Sequence, residues 1–346
     1  MSDDRPDGMQ RVDAPLYMAR YRARATASVP EEMADTSVPL YIRRFRGRAA
    51  VTSAPARPLW ERAPLAVQRA LTEDNRNKEI SAPPSAARQM ANDVFLIRHG
   101  ETQGYSTDSG LTPQGVWQAH TYGQTLARRL RSGERVVVRH AATARARETA
   151  ENIERGLGDR LHQYEKQADV DGPESMDEFR NFQFVSPEGL RDVTAAFRHF
   201  YAVREDYERR ATGERPLWLV EMDRFWRLQQ AGGDPIQHWL TTPLVHFEPP
   251  AMCVRRFWKG ILGLAAGHPG ARLMIATHSG PIRAFATFAL GYDPGEPYNT
   301  EHLRVKLMDG GSTALITYRN RVQELQVPDL DALPVWGREE VGSSAR

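Results

Sequence analysis

Arg98-His99-Gly100-Glu101-Thr102 is the chemically densest stretch of the chain. It follows Val94-Phe95-Leu96-Ile97, a continuous apolar run of the kind that forms a buried parallel strand. His99 therefore leaves the strand at its carboxyl end, the edge where open α/β sheets bind ligands. Gly100 lets the backbone turn tightly beside the imidazole. An arginine next to a histidine suits an anionic substrate: the guanidinium forks onto phosphate oxygens while the imidazole attacks or is held ready. A lone histidine at a strand end is more simply read as satisfied by a backbone group.

Three other elements bring comparable residues to the same edge. Arg135-Val136-Val137-Val138 reads as a second strand, and the helix after it, over 143–157, sets Arg145 at the carboxyl edge. Leu273-Met274-Ile275-Ala276 reads as a third strand, running into Thr277-His278-Ser279-Gly280-Pro281. Met176-Asp177-Glu178 stands between them, at the entrance to a stretch of different grammar. Two histidines, two arginines and a carboxylate thus converge on one rim. His140 stands beside that rim and reads as a hydrogen bonder at a helix entry.

The elements that must position these residues follow from pattern. Thr112-Pro113-Gln114-Gly115 opens a helix with threonine as N-cap and proline at the first helical position. Val116, Ala119, Tyr122, Gly123, Leu126 and Leu130 then share one face. Residues 303–307 and 313–318 read as further strands. Strands alternating with helices predict a three-layer αβα sandwich with a mostly parallel central sheet. This catalytic domain spans 93–328. Between 171 and 250 the alternation gives way to aromatic-rich helical stretches, at 193–201 and 222–226, which read as a helical cap insertion over one edge of the sheet. The cap's tryptophans read as its core before they read as a pocket wall. Residues 329–346 have no clear period and read as a tail.

At this point the sequence resembles the histidine phosphatase superfamily, with its phosphoglycerate-mutase-like fold. Arg98-His99-Gly100-Glu101-Thr102 matches the family's R-H-G-E-[ST] opening, and Asp108 to Gly115 matches the D-x-x-L-T-x-x-G that follows. Thr277-His278-Ser279-Gly280-Pro281-Ile282-Arg283 is similar to the late H-[GS]-G-x-x-R motif. The middle S-P-L-x-R-A-x-Q-T-A motif stands here as Ala141-Ala142-Thr143-Ala144-Arg145-Ala146-Arg147-Glu148-Thr149-Ala150, without its Ser-Pro. The asparagine frequent six residues after the nucleophile is Tyr105.

The resemblance implies two-step phosphoryl transfer. It implies His99 as the nucleophile that forms a phosphohistidine. Arg98, Arg145, His278 and Thr102 would bind the phosphoryl oxygens, with His278 also catalytic. Glu178 would give a proton to the leaving oxygen and then activate water. No metal or other cofactor is implied, and the spacing of a dedicated metal site is absent from the sequence. A phosphoglycerate mutase carries E-R-H-Y-G at the acid. Here the passage is Glu178-Phe179-Arg180-Asn181-Phe182, which favours a phosphatase acting on a small-molecule phosphomonoester.

The remaining residues bound the alternatives. The chain has 346 residues, one cysteine and a formal charge of +2. That excludes a disulfide framework and gives no electrostatic sign of a nucleic-acid partner for the whole chain. Mean hydropathy is −0.57 and no apolar run reaches the length of a membrane span. With acidic residues at the start in place of a signal peptide's basic ones, a cytoplasmic protein without membrane partners is expected. Residues 1–92 form an N-terminal arm of Ala, Pro, Ser and Arg, expected to be largely irregular. Within it the pattern P-L-Y-x-x-R-[YF]-R-x-R-A occurs at 15–25 and again at 39–49, with a weaker echo at Pro58-Leu59-Trp60. Arginine and tyrosine are residues of interface hot spots, and two tethered copies gain avidity. A protein partner, or self-association through residues 11–60, is expected of this segment. Nucleic acid is not, since four acidic residues accompany nine arginines there. A non-catalytic scaffold acting through this arm is the remaining alternative class.

Overall fold

The apolar run before His99 becomes strand β1 (Met90–Arg98), in which Val94, Leu96 and Ile97 are wholly buried. The computed structural model describes residues 90–104, 108–209, 214–308, 311–330 and 336. The repeated arm motif and Tyr105 lie outside them. After β1 come α1 (Pro113–Arg129), β2 (Arg135–His140), α2 (Ala144–Gln163) and β3 (Asp169–Ser175). A 3-10 turn, Asp177–Phe179, leads into the hairpin β4 (Gln183–Ser186) and β5 (Gly189–Asp192). Helices α3 (Val193–Arg209), α4 (Leu217–Gln230), α5 (Pro235–Thr241) and α6 (Pro250–Gly267) follow. The chain closes with β6 (Arg272–Thr277), α7 (Ser279–Leu290), β7 (His302–Met308), β8 (Thr313–Tyr318) and β9 (Arg321–Gln326).

Seven strands make one sheet in the order β3-β2-β6-β1-β7-β8-β9. The first four are parallel, and β7, β8 and β9 complete the sheet as an antiparallel meander. Side chains alternate between the faces. Phe95, Ile97, Val136, Val138, Met274 and Ala276 pack with α1 and α2. Leu96, Val137, Leu273 and Ile275, equally buried, point to the opposite face, which α6 and α7 cover. Two glycines let α1 and α2 cross closely, since a Cβ on Gly123 would stand 2.0 Å from the Ile153 carbonyl oxygen, and one on Gly156 2.0 Å from that of His120. Thr112 caps α1 as its sequence predicts, its Oγ1 accepting from the Gly115 amide at 3.0 Å.

Two features differ from the sequence reading. Residues 171–175 belong to the central sheet as the end of β3, and the stretch read as a helical cap also contains the β4–β5 hairpin. β3 is an edge strand of sequence Asp-Val-Asp-Gly-Pro-Glu-Ser. Charge, glycine and proline are what edge strands use to resist further pairing, so its pattern hides the strand. Part of the cap's aromatic set is its core: Trp239 is buried and stacks on Phe182 at 4.2 Å between ring centroids, while Trp218 and Trp226 are half-buried and Tyr201 is exposed. Arg224–Pro235 fall in a separate compact unit from the other described residues. Among the described residues no helix is long and apolar enough to cross a membrane.

Candidate active site

Register builds the site. β1 and β6 are parallel neighbours with Arg98 opposite Thr277, so His99 and His278 leave the sheet side by side. The His99 amide donates to the Thr277 carbonyl at 2.9 Å, and the two imidazoles meet edge to face with centroids 5.5 Å apart. β2 lies on the other side of β6 with His140 opposite Ala276, and the first turn of α2 then carries Arg145. His99, His278, Arg98 and Arg145 are each at most 6% exposed.

The ring of His99 has a fixed polarity. Its Nδ1 lies 2.8 Å from the Gly100 carbonyl oxygen, which can only accept, so Nδ1 carries the proton. In the neutral ring the lone pair is then on Nε2. Burial, reinforced by the neighbouring Arg145 and Arg98 charges, holds the imidazole pKa well below its ordinary value. His99 is thus neutral at physiological pH, with a nucleophilic nitrogen of defined position.

The loop that carries it is clamped from four sides. Gly100 donates its amide to Thr149 Oγ1 at 3.0 Å, and Thr149 donates to the Arg145 carbonyl at 2.6 Å. Asn299 Nδ2 donates to the His99 carbonyl at 3.1 Å. A Cβ on Gly100 would lie 2.6 Å from the Gly115 carbonyl oxygen, so the start of α1 packs directly on the loop. Arg98 pairs with Glu296 at 3.0 Å and donates to the Pro297 carbonyl. Arg145 donates to Asp108 Oδ1 and to Thr194 Oγ1, each at 2.9 Å.

Residues 94–217 match the family described as Histidine phosphatase superfamily (branch 1). Residues 94–217 carry a histidine phosphatase superfamily domain. Solved structures similar to it include Bacillus stearothermophilus YhfR, at 20% identity over 64% of this chain and 93% of that one, with a TM-score of 0.39. The mycobacterial glucosyl-3-phosphoglycerate phosphatase is 19% identical over 67% of this chain and 97% of that one, with a TM-score of 0.36. Phosphoglycerate mutase from Bacillus anthracis str. Sterne is 15% identical over 70% and 95%, with a TM-score of 0.35. At such scores these likenesses carry no part of the functional argument. No curated protein matches the chain.

The histidine phosphatase domain places the other expected residues less uniformly. Buried His278 has Nε2 3.4 Å from Thr143 Oγ1, while its Nδ1 has no hydrogen-bond partner among the described residues. Its pKa is also held well down, by burial first and then by Arg145, His99 and Arg98. The Thr102 hydroxyl has the Gly110 carbonyl at 2.6 Å and the Gly104 carbonyl at 3.3 Å as acceptors, and Thr102 bridges to Leu111. His140 ends β2, its Nδ1 bonded to the Ala141 carbonyl at 2.8 Å, as a helix-entry hydrogen bonder should be.

Glu178 sits on the 3-10 turn, which two clamps hold. Thr277, the residue before His278, donates its hydroxyl to the Phe179 carbonyl at 2.6 Å. Arg256 of α6 donates to the carbonyls of Glu178, Arg180 and Asn181 at 2.7, 3.1 and 3.2 Å, and is itself held by buried Glu248 at 2.8 Å. Arg256 was not legible as a site residue, because α6 has only the pattern of a packing helix. Glu178 lines a cavity of about 290 Å³ beside α6. A second cavity, of about 370 Å³, is lined by Thr143, Asp108 and Thr194, the partners of His278 and Arg145. Asp177 lines both. Among the described residues no group of three His, Cys, Asp or Glu is placed to hold a metal ion.

The buried histidines make stability depend on pH. His302, between the rings of Phe95 and Tyr122, is lowered by burial to about 4. A histidine whose folded pKa lies below its unfolded 6.5 contributes no penalty above that value, but as pH falls the unfolded chain takes protons the folded one refuses. His302 alone then costs about 2 kcal/mol at pH 5. His99 and His278 act in the same direction, and buried Asp192, with its pKa raised, in the opposite one. The melting temperature is expected to fall between pH 7.5 and pH 5, less steeply in His302→Phe. A flat profile contradicts the assigned burial.

Proposed function

We propose that this domain is a metal-independent phosphatase that hydrolyses a phosphomonoester through a phosphohistidine on His99. The observation that carries the reading is the neutral His99 ring, with Nδ1 pinned on the Gly100 carbonyl, lying between two buried arginines. In the first step the Nε2 lone pair attacks phosphorus as the bond to the leaving oxygen breaks in line. That oxygen takes a proton from Glu178. In the second step the Glu178 carboxylate takes a proton from water, whose oxygen displaces His99 and releases inorganic phosphate. Arg98, Arg145 and His278 stabilise the charge on the three equatorial oxygens. The unpartnered Nδ1 of His278 supports its part, since a buried ring nitrogen without a partner costs about 1–3 kcal/mol that a ligand contact recovers.

Phosphatase is favoured over mutase by the residues after the acid. Phe179 is buried and packed on Phe257, at the position where the mutase passage E-R-H-Y-G carries its arginine. For the proton donor a second reading has one observation behind it: Asp177 lines the cavity next to Thr143, and Glu178 does not. The test is release of phosphate from a series of aryl and alkyl phosphates. Glu178→Gln is expected to lose about 10²–10³-fold with alkyl leaving groups and far less with 4-nitrophenol, which needs no protonation. If Asp177→Asn shows that signature instead, Asp177 is the donor. Absence of turnover by the wild type over the whole series contradicts the phosphatase reading.

A further inference from the structure

The 370 Å³ cavity has a chemical character of its own. Among the described residues its wall holds no aromatic side chain, and three arginines, Arg180, Arg191 and Arg198, contribute to it. Three carboxylates, Asp108, Asp177 and Asp192, also line it, and the second oxygen of Asp192 has no hydrogen-bond partner among the described residues. Asp108 holds Arg145 at 2.9 Å, and Asp192 accepts from the Thr194 amide at 2.7 Å as the cap of α3. Arg191 is paired with Glu188 at 2.6 Å. Arg180 is oriented by Asp177 at 3.7 Å and by the Gln183 amide oxygen, 2.6 Å away when that amide is turned to satisfy both groups. Arg198 is exposed and has no hydrogen-bond or ion-pair partner among the described residues.

The helix relates Arg198 to the contacts of Arg145. Thr194 touches Arg145, and Arg198 follows it by four residues, so both lie on one face of α3. Four residues advance about 6 Å along a helix. The Cα of Arg198 therefore stands roughly one turn along α3 from that of Thr194, the residue that holds Arg145. An exposed arginine is ordinarily just solvated. This one shares a polar cavity wall with the contacts of Arg145 and His278.

We propose that this cavity binds a second anionic group on the leaving portion of the substrate, a carboxylate or a second phosphate, recognised by Arg198 together with Arg180. The proposal rests on the phosphatase reading for the position of the phosphoryl group. It narrows the substrate to a phosphomonoester that carries a second negative charge on its leaving portion. Neutral sugar phosphates and purely apolar esters lack the group the cavity recognises.

Non-hydrolysable ligands test it independently of turnover. Calorimetry would compare 4-carboxybenzylphosphonate with its methyl ester, which differ at one charge. The wild type is expected to bind the acid at least about tenfold more tightly, the worth of one charge-assisted contact. Arg198→Ala should lower that ratio, and Arg180→Ala with Arg198→Ala should bring it close to one. Equal affinity for acid and ester in the wild type overturns the proposal. So does a ratio that survives the double substitution in a protein of unchanged melting temperature. If the ratio behaves as expected while neither corresponding phosphate is hydrolysed, the anion site stands and the phosphatase reading falls.

Discussion

His99→Ala is expected to abolish phosphate release, with a loss of at least about 10⁴-fold in kcat, because no other group in the site can form the covalent intermediate. The geometry makes the demand specific. Nε2 is the lone-pair nitrogen only because Nδ1 is held by the Gly100 carbonyl, and the ring is neutral because burial and two arginines oppose its protonation. No second histidine can substitute. His278 is also neutral, but its Nε2 is turned to Thr143 and its ring lies edge-on to that of His99. The variant should stay folded, since the loop keeps the Thr149 and Asn299 clamps on backbone atoms. A melting temperature within a few degrees of wild type, with no turnover, is the expected pair of results. Substantial turnover by His99→Ala would remove the basis of the mechanism.

Arg145→Ala is expected to lower kcat/KM by about 10²–10³-fold. Arg145 is fully enclosed, so in the proposed mechanism water does little to screen its charge, which Asp108 partly balances. It also joins three parts of the chain, because Asp108 comes from the loop before α1 and Thr194 from the head of α3. Arg145→Lys keeps the charge but cannot reach both partners with one planar fork, so it should recover only part of the loss. A merely structural arginine would behave differently: Arg145→Ala would lower the melting temperature, and activity of the surviving folded fraction would be near normal. A loss below tenfold in correctly folded Arg145→Ala would exclude the assigned role.

How far the sequence alone carries can be seen residue by residue. β1, β2 and β6 are legible because each is a short apolar run ending in a residue with chemistry, and their carboxyl ends do converge. β3 is not, because an edge strand is charged and interrupted. Arg98, His99, Arg145 and His278 come together, as their positions at strand ends require. Their supports were invisible as supports: Asn299 is 200 residues from His99, and Thr277 is 98 from Phe179. No local pattern encodes contacts of that range. Asp108 and Thr149 were legible as motif letters, yet what each holds emerges only from the fold. Phe182, Phe184 and Trp239 of the insertion could have walled a pocket, but they pack inward, and the cavity wall holds arginines.

Trapping the intermediate tests the central claim most directly. Wild-type protein mixed with ³²P-labelled substrate and quenched within milliseconds should carry label that is stable to base and lost in acid, as a phosphohistidine is. Peptide mapping should place that label on His99, and His99→Ala should carry none. Label that is stable to acid, label on any other residue, or turnover with no labelled enzyme at any quench time would contradict a phosphohistidine mechanism on His99.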